Sequence, residues 1–201
     1  MRNRLRSMTR RCGTWPAGVL ALAALLLGTL GNPAAAQPKR PIETITASTT
    51  GMTPSGLGLR IQIIGWSDEN ARADVVATLD DGPALARLPT VGYVWPAGSP
   101  VGYTVKYAHR TPAEGGGERI TLVTDKKLGS FDFKKWTASG PAAPGDHPYS
   151  VIELYLDANG QGTGNLSLSA EVSVDEAAGT VSLAAPSGSG VLTDVKRQPT
   201  T

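Results

Sequence analysis

Few side chains in this sequence can do chemistry, and they are widely spaced. Two histidines, His109 and His147, are the groups able to change charge near neutral pH. His109 falls on the face of Val101, Tyr103, Val105 and Tyr107, near a strand end; His147 sits in Asp146-His147-Pro148. A metal needs several converging donors, and only the fold could bring both histidines to one carboxylate. Serine is plentiful, but neither G-x-S-x-G nor S-x-x-K occurs, so nothing marks an activated nucleophile. Glu153 is the carboxylate of most interest, because it lies mid-strand between Val151 and Tyr155. Covered by another element it would be a buried acid with a raised pKa; on a wet face it is an ordinary surface group, the reading favoured by residue type. No catalytic residue, metal site or cofactor is assigned.

Aromatic residues offer a different chemistry. Trp66, Trp95, Tyr103 and Tyr107 fall near or on successive strands, and with Glu153 and Tyr155 they make the candidate ligand-binding set. Lining a barrel mouth, they would hold a small apolar ligand; capping the core, they would be half-buried as Trp and Tyr usually are. The turn Asp157-Ala-Asn-Gly-Gln-Gly162 has the opening spacing of a calcium loop. It offers an amide at position 5 (Gln161) and Leu168 at position 12, where a bidentate Glu belongs, so it reads as a hairpin turn. Gly115–Gly117 is no phosphate loop, since no Lys-Ser/Thr and no helix comes after it.

The elements that must position these groups are mostly strands. In Tyr149–Val174, Ile152, Leu154 and Leu156 alternate with Glu153 and Tyr155, and Leu166, Leu168, Ala170, Val172 and Val174 alternate with polar residues. This predicts one hairpin with a dry and a wet face, its turn served by positive-φ positions at Asn159-Gly160, Gly162 and Gly164. Further strands are expected at 42–50, 59–65, 91–95, 101–109, 119–124, 180–184 and 190–196. One helix is expected from Ser67 as N-cap, with Val75, Val76 and Leu79 on its apolar stripe, stopped by Gly82-Pro83, and with Asp80 and Asp81 in a frayed last turn. A short helical turn at 84–88 can come after it. Residues 137–148 read as an exposed loop. The fold class is mainly β (α+β): an antiparallel sandwich or partly closed barrel of eight or nine strands with one covering helix.

The N-terminus carries five arginines in its first 11 residues, an apolar run of about 15 residues and then Ala34-Ala-Ala36. This is the order of a secretory signal peptide cleaved after Ala36, and the run is shorter than the roughly 20 residues of a membrane span. The organisation is therefore a leader at 1–36, a linker at 37–41, one domain at 42–197 and a polar tail at 198–201. Of 19 basic and 17 acidic residues, five arginines leave with the leader, so the mature chain has 14 against 17 and a net charge of −3. That excludes general nucleic-acid binding and leaves no membrane span. The single cysteine, Cys12, also leaves, so disulfides and thiolate sites are excluded.

Trp66-Ser-Asp-Glu, Leu88-Pro-Thr-Val-Gly-Tyr93, Arg119-Ile-Thr-Leu-Val-Thr-Asp125 and Val151-Ile-Glu-Leu-Tyr-Leu-Asp157 with its glycine turn resemble a poorly characterised group of secreted bacterial proteins. The resemblance covers most of 57–174 and implies a free-standing exported domain; its motifs are strands, caps and turns, so no functional residue carries over. The sequence thus points to a periplasmic or secreted, non-enzymatic binding or structural domain, its partner a small ligand or an envelope protein. The alternatives are a hydrolase assembled from dispersed histidines and carboxylates, and a carrier of a small apolar ligand.

Overall fold

A segment that alternates with period two can bury every second side chain only by pairing into a sheet. In the computed structural model, which describes residues 40–79, 81–131, 136–138, 147–168, 172–175, 180–183 and 189–199, the alternating segments pair all the way round. The strands are β1 (Glu43–Thr50), β2 (Met52–Thr53), β3 (Gly58–Ile63), β4 (Gly92–Pro96), β5 (Tyr103–Pro112), β6 (Glu118–Thr124), β7 (Thr137–Ala138), β8 (Val151–Leu156), β9 (Gln161–Ser167), β10 (Val172–Asp175), β11 (Thr180–Leu183) and β12 (Ser189–Gln198). Helices α1 (Glu69–Thr78) and α2 (Gly82–Arg87) lie between β3 and β4. Eight strands form a closed barrel in which β1, β3, β4, β5, β6, β8, β9 and β12 are neighbours in chain order, and β12 pairs antiparallel with β1. The architecture is an up-and-down β-barrel, which has no free sheet edge. The expected leader lies outside the described residues, and Gln198, expected in the tail, ends β12 opposite Thr44.

The interior is packed. Ile45, Ile61, Val94, Ile120, Leu154 and Leu192, from six different strands, are fully buried in one apolar cluster. An eight-stranded barrel is just wide enough for such side chains to fill. Gly162 and Gly164 do not serve the turn as expected: they lie inside β9 with φ outside the positive region. At Gly164 an added Cβ would come within 2.5 Å of the Glu153 carbonyl oxygen. Only Gly160 takes a positive φ there, +73°. The second arm of the expected hairpin also stops early, because β9 ends at Ser167 and Val172–Asp175 pairs with β11 in a separate two-stranded sheet. Residues 137–138, expected within a loop, pair with β2.

Both barrel ends are sealed. At one end Arg197 donates from Nε to Glu43 Oε1 at 2.7 Å and from Nη2 to Glu118 Oε1, linking β1, β6 and β12 across the opening. Arg110 reaches Glu118 at 3.7 Å and stacks 4.2 Å above the Trp66 ring. At the other end Leu128, Trp136 and Met52 join the apolar cluster.

The helices differ from expectation in their caps. Asp68, not Ser67, caps α1, its Oδ1 accepting from the Ala71 N–H at 2.8 Å. Ser67 is buried, and its hydroxyl oxygen accepts from the Ala108 N–H at 3.0 Å while its own N–H donates to the Ala108 carbonyl at 2.7 Å. This latch lays the start of α1 against β5. Gly82-Pro83 starts α2 rather than ending α1, and Asp81 caps it by accepting from Ala84 N–H at 3.0 Å. Proline suits the first turn because the missing N–H would have no partner there. Among the described residues two helices therefore cover the barrel, the second lying where a short helical turn was expected at 84–88.

If the Arg197 fork holds the end shut, Arg197→Met leaves Glu43 and Glu118 without their shared cation and costs about 2–3 kcal/mol. Chemical denaturation of Arg197→Met, Glu118→Gln and the double variant checks this: the double variant should lose less than the two single losses added together, whereas simple additivity would remove the coupling.

Candidate functional site

The six sequence candidates do not gather at one mouth. Trp66 comes after β3 at the barrel end sealed by Arg197, half-buried beneath Arg110. Tyr103 opens β5 at the opposite end, buried, where its hydroxyl accepts from the Gly129 and Phe131 N–H groups at 2.9 and 3.1 Å. That hydroxyl organises the loop after β6. Trp95 lies on the outer wall of β4 with its ring against Gly102, where an added Cβ would come within 2.7 Å of the indole.

Tyr107, Glu153 and Tyr155 belong to another part of the wall, and a β-bulge puts them there. Val105 pairs with Thr124 but Tyr107 pairs with Val123, so Lys106 is an extra residue in β5. A bulge reverses the inward–outward parity of the residues C-terminal to it. Tyr103 and Val105 face the interior, whereas Tyr107 and His109 face outward, separating the set that unbroken parity would keep together. Lys106 itself is buried and donates from Nζ to the Leu88 carbonyl at 2.8 Å and to Thr90 Oγ1 at 3.2 Å, tying the end of α2 to the barrel. Burial pushes its pKa down, against a smaller upward pull from Asp125.

The outer wall of β5, β6, β8 and β9 is built in rows. Tyr107, Val123 and Val151 stand opposite one another and are covered by Val75 and Leu79 of α1 and its extension, Leu85 of α2 and Tyr149. The next row is His109, Thr121, Glu153 and Asn165; beyond it Arg119 stands opposite Tyr155. Glu153, expected on a wet face, is only 5 % exposed, and the Tyr155 hydroxyl donates to its Oε2 at 2.8 Å. Burial raises the Tyr155 pKa, and the hydrogen bond to Glu153 and its charge add to the rise. His109 stacks on Tyr107 with ring centroids 5.9 Å apart. Its pKa is lowered, first by burial and then by the positive charges of Arg72 and Arg119. His147 instead lies beside Tyr149, 5.4 Å between ring centres.

The other half of the barrel, β4, β3, β1 and β12, keeps its outer wall more open. Here a groove of about 530 Å3 is lined by Thr46, Ser48, Arg60, Trp95, Pro96 and Ser99, among others. Trp95 stands opposite Arg60 in the ladder, and the guanidinium carbon lies 6.0 Å from the indole centroid. The Trp95 Nε1–H is shielded from solvent and has no acceptor. A buried donor left unpaired is costly; this one is packed on the Gly102 side of the ring, and what the groove itself presents is the Trp95 indole beside the exposed Arg60 cation. Of the six candidates only Trp95 lines it; sequence reasoning missed Arg60, whose signal was the alternation of Arg60 and Gln62 with the inward Leu59, Ile61 and Ile63.

Against family models, curated proteins and solved structures, the chain has no match. Among the described residues no helix is long and apolar enough to cross a membrane.

The His109 shift has a definite sign. An unfolded histidine titrates near 6.5 and the folded one lower, so the unfolded state takes up a proton first as the pH falls. The stability associated with neutral His109 is complete above about pH 6.5 and is lost as the pH drops toward the lower folded value. Urea midpoints measured from pH 7.5 to 5 should fall less in His109→Gln than in the parent; parallel curves would show that His109 carries none of the dependence.

Proposed function

We propose that this chain is exported by a cleaved leader and acts as a non-enzymatic binding domain of the bacterial envelope, its binding surface the open outer wall around Trp95 and Arg60. The single observation that carries this reading is the groove, where the Trp95 indole lies beside the exposed Arg60 guanidinium. The filled interior favours the outer wall as the binding surface, since Ile45, Ile61, Ile120 and Leu154 occupy the space a lumenal ligand would need. A small apolar ligand carried in the lumen is therefore the weaker alternative. A hydrolytic site has less support as well, because Thr121 stands between His109 and Glu153 in the ladder and the second histidine sits beside Tyr149. Export rests on the arginine-rich start, the apolar run and Ala34-Ala-Ala36, and it fits the acidic balance left once the leader is removed.

Purification from the envelope fraction of the host, with native mass spectrometry of the product, tests both parts. The expected product begins at Gln37 and retains a bound molecule that is lost in Trp95→Ala. A full-length cytosolic chain would overturn the export assignment, and a bare monomer in both forms would overturn tight binding at this wall.

A further inference from the structure

Across β4, β3, β1 and β12 the register aligns Trp95 with Arg60, Arg60 with Thr46, and Thr46 with Lys196. Beside this row Tyr93 stands opposite Gln62. These six side chains lie on the outward face, because their strand neighbours Leu59, Ile61, Val94, Ile45 and Val195 are the ones buried in the barrel. Four strands make three inter-strand steps, about 14 Å of wall at roughly 4.8 Å each. That length suits an extended ligand rather than a single small molecule.

The chemistry of the rows defines the class. Arg60 and Lys196 are both exposed, and no carboxylate occupies either row. Two cations on a domain whose own balance is acidic call for an anionic partner at this place and not over the whole surface. The Tyr93 and Trp95 rings, 6.3 Å apart and tilted by 41°, give two neighbouring apolar plates, and Thr46 and Gln62 are uncharged hydrogen-bonding groups. Apolar plates beside hydroxyl and amide groups match the C–H faces and hydroxyls of sugar rings. A peptide strand would bind differently, by adding main-chain hydrogen bonds to a free sheet edge, and the closed barrel presents none along these strands.

We infer that the outer wall formed by Trp95, Arg60, Thr46 and Lys196, flanked by Tyr93 and Gln62, binds an acidic glycan whose carboxylates meet Arg60 and Lys196 and whose sugar rings lie on Trp95 and Tyr93. This deepens the binding-domain reading and rests on it.

Isothermal titration of the purified mature protein, beginning at Gln37, with three probes separates the outcomes: an oligogalacturonate, a neutral oligosaccharide of the same length, and a poly-aspartate peptide. The oligogalacturonate should bind, weaken by about tenfold in Arg60→Gln through loss of one charge-assisted hydrogen bond, and weaken further when Lys196→Gln is added. The neutral oligosaccharide should bind more weakly than the acidic one. Both variants change exposed side chains, and an unchanged thermal unfolding curve shows that they fold. Arg119→Gln, on the opposite half of the wall, should leave the affinity unaltered; an equal loss there would reduce the effect to net charge and overturn the site. Equal or tighter binding of poly-aspartate would overturn the glycan class and leave an acidic protein as the partner of the same wall. No binding of any probe would overturn this assignment alone, since a bound molecule retained in native mass spectrometry would still support the broader reading.

Discussion

Closure of the barrel by β12 on β1 is the constraint on which the rest of the structure depends. The first and last strands of the domain are more than a hundred residues apart in sequence, yet they pair along their length, Thr44 with Gln198 at one end and Thr50 with Val191 at the other. Once that seam is made, each of the eight barrel strands has two neighbours and the barrel leaves no edge to pair with another chain. The closed wall then defines an interior that must be filled, and aliphatic side chains from all round the barrel fill it. The ends must also be closed. Aliphatic and aromatic groups do this at one end, and the Arg197 fork with its two carboxylates does it at the other.

The inside is filled, and the outer wall is divided. Over β5, β6 and β8 the helices cover an apolar row of Tyr107, Val123 and Val151. Where that cover ends the wall turns polar, and Glu153 is buried with the Tyr155 hydroxyl on its carboxylate. A buried carboxylate is tolerable only with hydrogen-bond donors at hand, so this pair reads as the way the wall accommodates its own acid. Over β4, β3, β1 and β12 the outward side chains include Thr, Ser, Gln, Arg60, Lys196, Tyr93 and Trp95, with Val191 and Asp194 also exposed on β12.

Much of this was legible from sequence, for a physical reason. Period-two alternation marks the strand positions from 42 to 63 and from 101 to 124, and the interior residues Ile61, Ile120, Ile152 and Leu154 come from it directly. Closed barrel against sandwich was not legible, because both need the same alternation and differ only in whether β12 reaches β1. The cap of α1 was not legible either: Ser67 and Asp68 are both good N-caps, and a tertiary contact, the latch of Ser67 on Ala108, decides between them. Asp81 looks like an unfavourable helix end until Pro83, two residues later, makes it the cap of a new helix. At the site, Trp95 was legible as an aromatic residue on a strand. Arg60 acquires meaning only from the register that sets it opposite Trp95.

The bulge at Lys106 shows how one residue can redirect a whole face. Without it, Tyr107 and His109 would continue the inward parity of Tyr103 and Val105, placing a phenol and an imidazole in the aliphatic interior. With it, Ala108 takes the inward position and Tyr107 and His109 move to the wall, where Tyr107 becomes part of the apolar row that the helices cover. The bulged residue is itself put to use: its ammonium group runs to the Leu88 carbonyl and fixes the end of α2 beside the strand that carries the bulge. The same irregularity therefore keeps Tyr107 and His109 out of the core, supplies the surface on which the helices dock and anchors one of them. That arrangement confines the helices to one half of the barrel, and it is why the Trp95 wall on the other half stays accessible.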